Sequence, residues 1–258
     1  MSVSIPIHSV VTTLTIIELM ANGDGPMGVS EIARSLDTAK PRVFRHLRTL
    51  FDRGYVAQDP NSEKYYLTVK LFHIGQAIAD QTDFLAEARR IMPILRDRAN
   101  LTVTIGQFEQ DGVRVLDILK HRSEFEISTR PGAFFDFHCS AQGKVALAFG
   151  PTRLWAKVEE GPLRAWTSKT NTSVERLRKE VNLVKQKGWA VAPEEVLSGI
   201  NALAAPIFGS TGTLEGTITI LGSVQHLPAR PDAGLVAAVV DAATEVSARL
   251  GYREAIAV

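Results

Sequence analysis

The sequence predicts an α+β protein with two domains: an N-terminal winged helix-turn-helix, and a larger C-terminal domain with a central antiparallel sheet covered by helices. Three helical patterns and a hairpin come first, a long apolar helical stripe follows, and strands then alternate with helices. A length of 258 residues also favours two domains. The predicted boundaries are 1–68, linker helices at 69–99, and 100–254.

The composition is that of an ordinary globular protein and excludes a disordered chain, with 45% hydrophobic and 22% charged residues. The formal net charge of +1 says nothing about partners, so a nucleic-acid signal must come from local clustering of charge. The single cysteine, Cys139, excludes an intramolecular disulfide and fits a reducing compartment. Because neither a membrane-length apolar run nor a signal peptide is recognised, a cytoplasmic protein is expected.

Apolar periodicity and helix breakers predict the first two helices. Apolar residues between Val10 and Met20 share one helical face, and the Asn-Gly-Asp-Gly-Pro run at 22–26 ends that helix. A short second helix follows Gly28, a tolerable N-cap with Glu31 at the N3 position.

A third helix is predicted after a tight turn at residues 37–39. Thr38 is its expected cap, and Pro41 lies in the first turn, where a missing N–H costs nothing. The expected core positions at helical spacing are Val43, Phe44, Leu47 and Leu50. After Gly54, strands at 55–57 and 64–67 form a hairpin, which completes a winged helix-turn-helix pattern.

Basic side chains cluster on this third helix. In a helix-turn-helix the second helix of the pair enters the major groove of double-stranded DNA, where arginine can pair with guanine. The alternative is a solvated helix face, the usual role of an isolated basic run. The position of the run between a short helix and a wing favours DNA reading. The predicted DNA-binding residues are Thr38, Lys40, Pro41, Arg42, Arg45, His46, Arg48 and Lys64.

The C-terminal half mixes strand and helix patterns. Strands are predicted at 103–108, 113–119, 125–129, 190–191, 200–207 and 214–221. Helices are predicted at 140–149, 174–187 and 232–250. One sheet covered by helices accounts for this order.

Short motifs with a specific joint order give the chain a family resemblance over essentially its whole length. The N-terminal motifs are Ser9-Val10, Ile16-Ile17-Glu18-Leu19, Ser30-Glu31-Ile32-Ala33, Val43-Phe44-Arg45, Gly54-Tyr55-Val56 and Tyr66-Leu67. The C-terminal motifs are His138-Cys139-Ser140-Ala141-Gln142-Gly143-Lys144, Gly188-Trp189-Ala190-Val191, Glu194-Glu195 and Ala204-Ala205-Pro206-Ile207-Phe208. Together they resemble the IclR family of bacterial transcriptional regulators.

The resemblance implies a GAF-like effector domain, homo-oligomers (dimers or tetramers), and a palindromic operator contacted by the two DNA-binding domains of a dimer. It implies a ligand-responsive DNA-binding regulator, here expected to be a repressor that controls catabolic genes, with no enzyme activity and no cofactor. Pro41 and Arg42 stand where the family usually has small hydroxyl residues, so the base preference is expected to differ.

The resemblance also implies an effector pocket. Ser140-Ala141-Gln142 open a helix whose free N–H groups can hold a polar effector end; the alternative role of Ser140, compatible with the first, is to cap its own helix. Where some relatives have a carboxylate, this chain has Ala192, and where many have an Arg-Cys pair, it has Asn201-Ala202. These less polar positions favour an aromatic or apolar effector. The expected pocket residues are Phe125, Ile127, Phe134, Phe137, Ser140, Ala141, Gln142, Ala192, Ile200, Ala202, Thr219 and Leu221. Plain core packing is the alternative for each phenylalanine.

Two other functions stay open. One is an enzyme in the C-terminal domain with the helix-turn-helix as a targeting module; the His138-Cys139 pair invites it but lacks a recognisable orienting group. The other is a DNA-binding module whose C-terminal domain only oligomerises. The six histidines show no HxH or HExxH spacing, so no metal site is predicted.

Overall fold

A computed structural model describes residues 7–80, 83–121 and 129–253. The chain divides into two compact units, Met1–Gln81 and Thr82–Val258, and this division falls inside the segment predicted as a linker. Each unit has its own hydrophobic core. In the described segments, no helix combines the length and hydropathy needed to cross a membrane.

The N-terminal unit is a winged helix-turn-helix, as predicted. Its elements are α1 (His8–Asn22), α2 (Val29–Ser35), α3 (Lys40–Asp52), β1 (Val56–Gln58), β2 (Tyr65–Leu67) and α4 (Val69–Asp80). β1 and β2 pair antiparallel with Val56 opposite Leu67, and an isolated bridge joins Met27 to Tyr65. This bridge therefore joins the hairpin to the segment between α1 and α2.

The core of this unit combines one face of each of the first three helices. Ile16, Ile32 and Leu47 have no exposed surface, and burial of each contributes about 1.5–3 kcal/mol. The expectation for Phe44 was wrong, since its side chain is 51% exposed. Val43 and Leu47 form the buried i, i+4 stripe, and position 44 lies about 100° further around the helix.

The start of α3 also differs from the prediction. The N-cap is Ala39, which has no side-chain cap, so Thr38 is not the cap. The Thr38 N–H instead donates to the Ala33 carbonyl oxygen at 3.0 Å and closes the turn. Pro41 lies in the first helical turn, as expected.

The C-terminal unit consists of one antiparallel sheet and five helices over the described residues. Its elements are α5 (Asp83–Ala99), β3 (Thr102–Phe108), β4 (Gly112–Leu119), β5 (Phe134–Asp136), α6 (Ala141–Phe149), α7 (Leu154–Glu159), α8 (Val174–Lys187), β6 (Ala190–Val191), β7 (Ile200–Phe208), β8 (Leu214–Ser223) and α9 (Ala233–Arg249). The strand order is β5-β4-β3-β8-β7-β6. This architecture confirms the predicted α+β class.

Two elements of this unit escaped the sequence prediction. β5 has three residues and α7 has six, which is too short for a periodic pattern. The strand predicted at 125–129 lies, apart from Thr129, outside the described residues.

The two faces of the sheet pack against different helices. On one face Gly106 of β3 meets α6: a Cβ there would lie 2.5 Å from Gln142 Oε1, so glycine permits this close approach. On the other face Gly216 of β8 meets Phe84 of α5, which packs beside α9. Thr217 and Thr219 alternate with Gly216 and therefore face α6.

Candidate DNA interface and effector pocket

The basic face of α3 lies opposite its buried stripe. Its exposed members are Lys40, Pro41, Arg42, Arg45 and Arg48, and Lys64 is exposed on the wing. Thr38 in the preceding turn and His46 are half-buried. Such a helix can approach a duplex with its cations toward phosphates and base edges.

The arginines of α3 differ in what holds their side chains. Arg48 Nε lies 3.1 Å from Asp52 Oδ1, and Arg42 Nη2 donates to Thr12 Oγ1 at 3.5 Å. The Arg45 side chain has no partner among the described residues. Arg45 is therefore the arginine most free to form a bidentate contact with a base.

His46 connects α3 to α1. Its Nδ1 lies 2.8 Å from Thr13 Oγ1, and the Thr13 hydroxyl donates to the Ser9 carbonyl oxygen. Because a hydroxyl has one proton, His46 is the donor from Nδ1. Burial, and then the charges of Arg42 and Arg45, lower the pKa of His46, so the ring is largely neutral at neutral pH.

Replacing Thr13 by valine should destabilise the N-terminal unit by about 1 kcal/mol, because His46 Nδ1 loses its acceptor. Thr15→Val is the matched control, since Thr15 also donates to a carbonyl one turn earlier but has no hydrogen bond to another helix among the described residues. Urea unfolding followed by far-UV circular dichroism measures both. Equal losses in the two variants would contradict a role for the interhelical bond.

The C-terminal unit contains a cavity of about 430 Å³ on the α6 side of the sheet. It is lined by Thr104, Thr129, Ala133, Phe135, Ser140, Ala141, Gln142, Trp166, Ala192, Val196, Leu197, Ile200, Asn201, Ala202, Thr219 and Leu221. Eight expected residues are present: Ser140, Ala141, Gln142, Ala192, Ile200, Ala202, Thr219 and Leu221. A cavity of this size suits a small molecule. A domain that only oligomerises would not require such a cavity.

The aromatic residues of the pocket are not the expected ones. Phe137 is 1% exposed in the hydrophobic core, and Phe134 lies outside the cavity, its ring 5.1 Å from the Arg114 guanidinium carbon. Phe135 and Trp166 line the cavity instead. In β5, successive side chains point to opposite faces, so Phe135 takes the place expected of Phe134.

The expected Phe125 and Ile127 lie outside the described residues. Several lining residues were not expected, among them Thr104, Asn201, Val196 and Leu197. Alternation along β3 could have revealed Thr104, whereas Val196 and Leu197 come from a loop without a periodic signal.

Ser140 has a structural role. Its hydroxyl accepts from the Gly143 N–H at 3.1 Å and donates to the Asp136 carbonyl oxygen at 2.9 Å. The capping interpretation of Ser140 is therefore confirmed.

Beside the pocket, α6 carries a buried charge cluster. Lys144 is 3% exposed, and its Nζ lies 2.5 Å from Glu195 Oε1 and 2.9 Å from Glu180 Oε2. Burial raises the pKa of Glu195 despite the opposing effect of Lys144. With two carboxylates around one ammonium, the cluster offers no free positive charge to a ligand.

The loop between β6 and β7 forms part of the pocket wall and is anchored at its backbone. The Thr167 hydroxyl donates to the Glu194 carbonyl oxygen and the Thr170 hydroxyl to that of Glu195, each at 2.6 Å. The Gly199 N–H donates to the Glu194 carboxylate at 2.9 Å. These bonds hold the segment that places Val196 and Leu197 on the pocket wall.

Cys139 is not an activated nucleophile. Burial, followed by the nearby charge of Asp136, raises the pKa of its thiol to about 12, so the thiol is protonated at neutral pH. His138 Nε2 pairs with the Arg164 carbonyl oxygen at 2.9 Å. Ligand atoms of Asp136, His138 and Cys139 lie within 4.8 Å of one another, but Asp136 Oδ2 already accepts from Trp166 Nε1. We propose neither catalysis nor metal binding there.

The winged helix-turn-helix and the separate sheet domain with its pocket define a DNA-binding regulator with a ligand-binding domain. The family model for the IclR helix-turn-helix domain matches residues 9–60, and the model for the bacterial transcriptional regulator IclR C-terminal domain matches residues 76–248. The chain belongs to the IclR family of bacterial transcriptional regulators. It is accordingly a regulator and not an enzyme.

Known relatives resemble the chain over nearly its whole length. The glycerol operon regulatory protein of Streptomyces griseus is 30% identical over 95% of this chain and 97% of its own. The IclR transcriptional regulator of Alicyclobacillus acidocaldarius superposes with a TM-score of 0.84 at 25% identity, over 96% of this chain and 100% of that one. An IclR homolog of Microbacterium hydrocarbonoxydans, complexed with 4-hydroxybenzoate, has a TM-score of 0.81 at 18% identity, over 94% and 98%.

Proposed function

We propose that this regulator represses catabolic genes and changes its affinity for DNA when a small aromatic or apolar effector enters the cavity of the C-terminal unit. It binds a palindromic operator as a dimer or tetramer, in the bacterial cytoplasm, where chromosomal DNA and metabolites are both present. Lys40, Arg42, Arg45 and Arg48 approach the major groove, and Lys64 of the wing approaches a neighbouring phosphate.

The lining of the cavity is the observation that carries the effector class. Most lining side chains are apolar, and the aromatic side chains of Phe135 and Trp166 are among them. Among the residues that the structure describes, no charged side chain lines the cavity. The relative crystallised with 4-hydroxybenzoate supports the proposal, since a protein of this fold accepts an aromatic ring.

A thermal melt of the full-length protein tests the effector class. We expect the melting temperature to rise by a few degrees with aromatic probes such as para-ethylphenol and para-ethylanisole, and not with pyruvate at the same concentration. Stabilisation by pyruvate alone would overturn the proposed class.

Filling the cavity should abolish this response. Ala202 lines the pocket on β7, so Ala202→Phe should remove the ligand-induced rise in melting temperature by occupying the ligand's volume. Ala156→Phe makes the same change at an exposed position on α7 and should keep the full rise. A preserved response in Ala202→Phe would place the effector elsewhere.

The direction of regulation is tested in cells. With a reporter under the operator, deletion of the regulator should raise expression, and supply of the effector should raise it in the wild type. Lower expression on deletion would identify an activator.

A further inference from the structure

We infer that the effector is an uncharged molecule bearing a hydroxyl group, which pairs with Gln142 and Thr219 in the cavity. This inference rests on the proposed function and names the chemistry of its ligand. It depends on two buried polar atoms without partners and on the charge around the pocket.

Gln142 and Thr219 leave hydrogen-bonding capacity unused. Both residues line the cavity and are 5% and 3% exposed, respectively. Gln142 Oε1 and Thr219 Oγ1 are shielded from solvent and have no partner among the described residues. Since a buried polar atom without a partner is costly, a ligand group that pairs with it gains affinity.

The backbone places both side chains on the same face of the sheet. Thr219 of β8 lies opposite Thr104 of β3, and Gly106 lies two residues further along β3. The missing side chain of Gly106 gives Gln142 Oε1 its place against the strand. A ligand hydroxyl can donate to Gln142 Oε1, and its oxygen can accept from the Thr219 hydroxyl, because a hydroxyl has both capacities; the two side chains can pair with the same hydroxyl or with two hydroxyls of one ligand.

The surrounding charges disfavour a carboxylate at this position. Lys144, two residues after Gln142 on α6, is already paired with Glu195 and Glu180. The Gly143 N–H at the start of α6 is used by Ser140 Oγ. An anionic ligand would therefore lose its hydration without gaining a cation from the described lining.

The test is calorimetric titration of the full-length protein with three probes of similar shape. Para-ethylphenol is neutral and can donate, para-ethylanisole carries a methyl group in place of the donor hydrogen, and para-ethylbenzoate is an anion at neutral pH. We expect the phenol to bind about tenfold more tightly than the ether, and the benzoate to bind most weakly.

Two variants separate the roles of the named side chains. Gln142→Met removes the acceptor for the phenol's proton and keeps a similar shape, so it should reduce the phenol's advantage over the ether. Thr219→Val removes a donor from which the oxygen of either probe can accept, so it should weaken both probes and leave their affinity ratio unchanged. Circular dichroism of each variant shows whether it is folded. If a variant fails to fold, the order of the affinities of the three probes for the wild-type protein still tests whether the effector carries a hydroxyl group.

The outcomes separate this inference from the proposed function. Equal binding of phenol and ether, or tightest binding of the benzoate, would overturn the hydroxyl class but leave an aromatic effector in place. Failure of all three probes to bind would overturn the aromatic effector itself.

Discussion

Replacing Lys144 by methionine should lower the free energy of unfolding of the C-terminal unit by about 3–5 kcal/mol at neutral pH. The change leaves Glu195, 6% exposed, as a buried carboxylate without its ammonium partner. Tryptophan fluorescence during urea unfolding reports this unit specifically, since Trp155, Trp166 and Trp189 all lie within it.

The deficit of Lys144→Met should depend on pH in a defined direction. Burial already raises the pKa of Glu195 in the folded protein, and Lys144 opposes that rise, so removing Lys144 raises the pKa further. A carboxyl group with a raised folded pKa contributes stability at low pH and loses it as pH rises through that pKa. The deficit relative to wild type should therefore be large at neutral pH, shrink as pH falls through the raised folded pKa of Glu195 in the variant, and reach its minimum before pH falls to the ordinary pKa of glutamate.

Two further variants isolate the buried pair. Lys144→Met combined with Glu195→Gln should recover most of the lost stability, because the buried carboxylate becomes a neutral amide and the remaining carboxylate of the cluster, Glu180, is 41% exposed. Lys179→Met removes an ammonium from an exposed pair with Glu175 and should cost less than about 0.5 kcal/mol. A double variant no more stable than Lys144→Met would disprove the pairing argument.

Arg45→Ala should weaken operator binding by tenfold to about a hundredfold at fixed salt, the loss expected for one good arginine–base contact. Arg45 is exposed on α3 and has no partner among the described residues, so its removal disturbs no internal bond. Fluorescence anisotropy with a duplex selected from a random library by the wild type measures the affinity. The thermal midpoint should stay unchanged.

Arg176→Ala is the matched control for Arg45→Ala. It removes the same charge from an exposed position at the start of α8 in the other unit. Its operator affinity should stay within about twofold of wild type, since Arg176 is not part of the winged helix-turn-helix that approaches the duplex. Equal affinity losses in the two variants would show that the effect is overall charge rather than base contact.

Much of the fold could be predicted because its elements are long or sharply bounded. α8 shows helical periodicity and ends at Gly188, which adopts φ of 79°, a conformation that glycine takes without strain. β3 and β4 alternate around a turn and pair as expected. Phe44 was assigned to the core wrongly because the width of a buried stripe depends on what packs against the helix.

The pocket was predicted only in part. Ser140, Ala192 and Leu221 were found through the family resemblance, and each lines the cavity. Phe134 and Phe137 were misplaced because apolar character does not distinguish a core position from a cavity wall. Trp166 lies in an irregular segment, where no periodicity indicates which way a side chain points.

The sequence by itself determined the winged helix-turn-helix, the α+β class and the basic face of α3, because local periodicity and turn residues specify them. Only the tertiary structure decided which arginine is unpaired, which aromatic rings face the cavity, and that Lys144 and Glu195 meet although 51 residues separate them. Those facts depend on packing between segments distant in the chain, where burial and hydrogen bonding select among side chains that look alike in sequence.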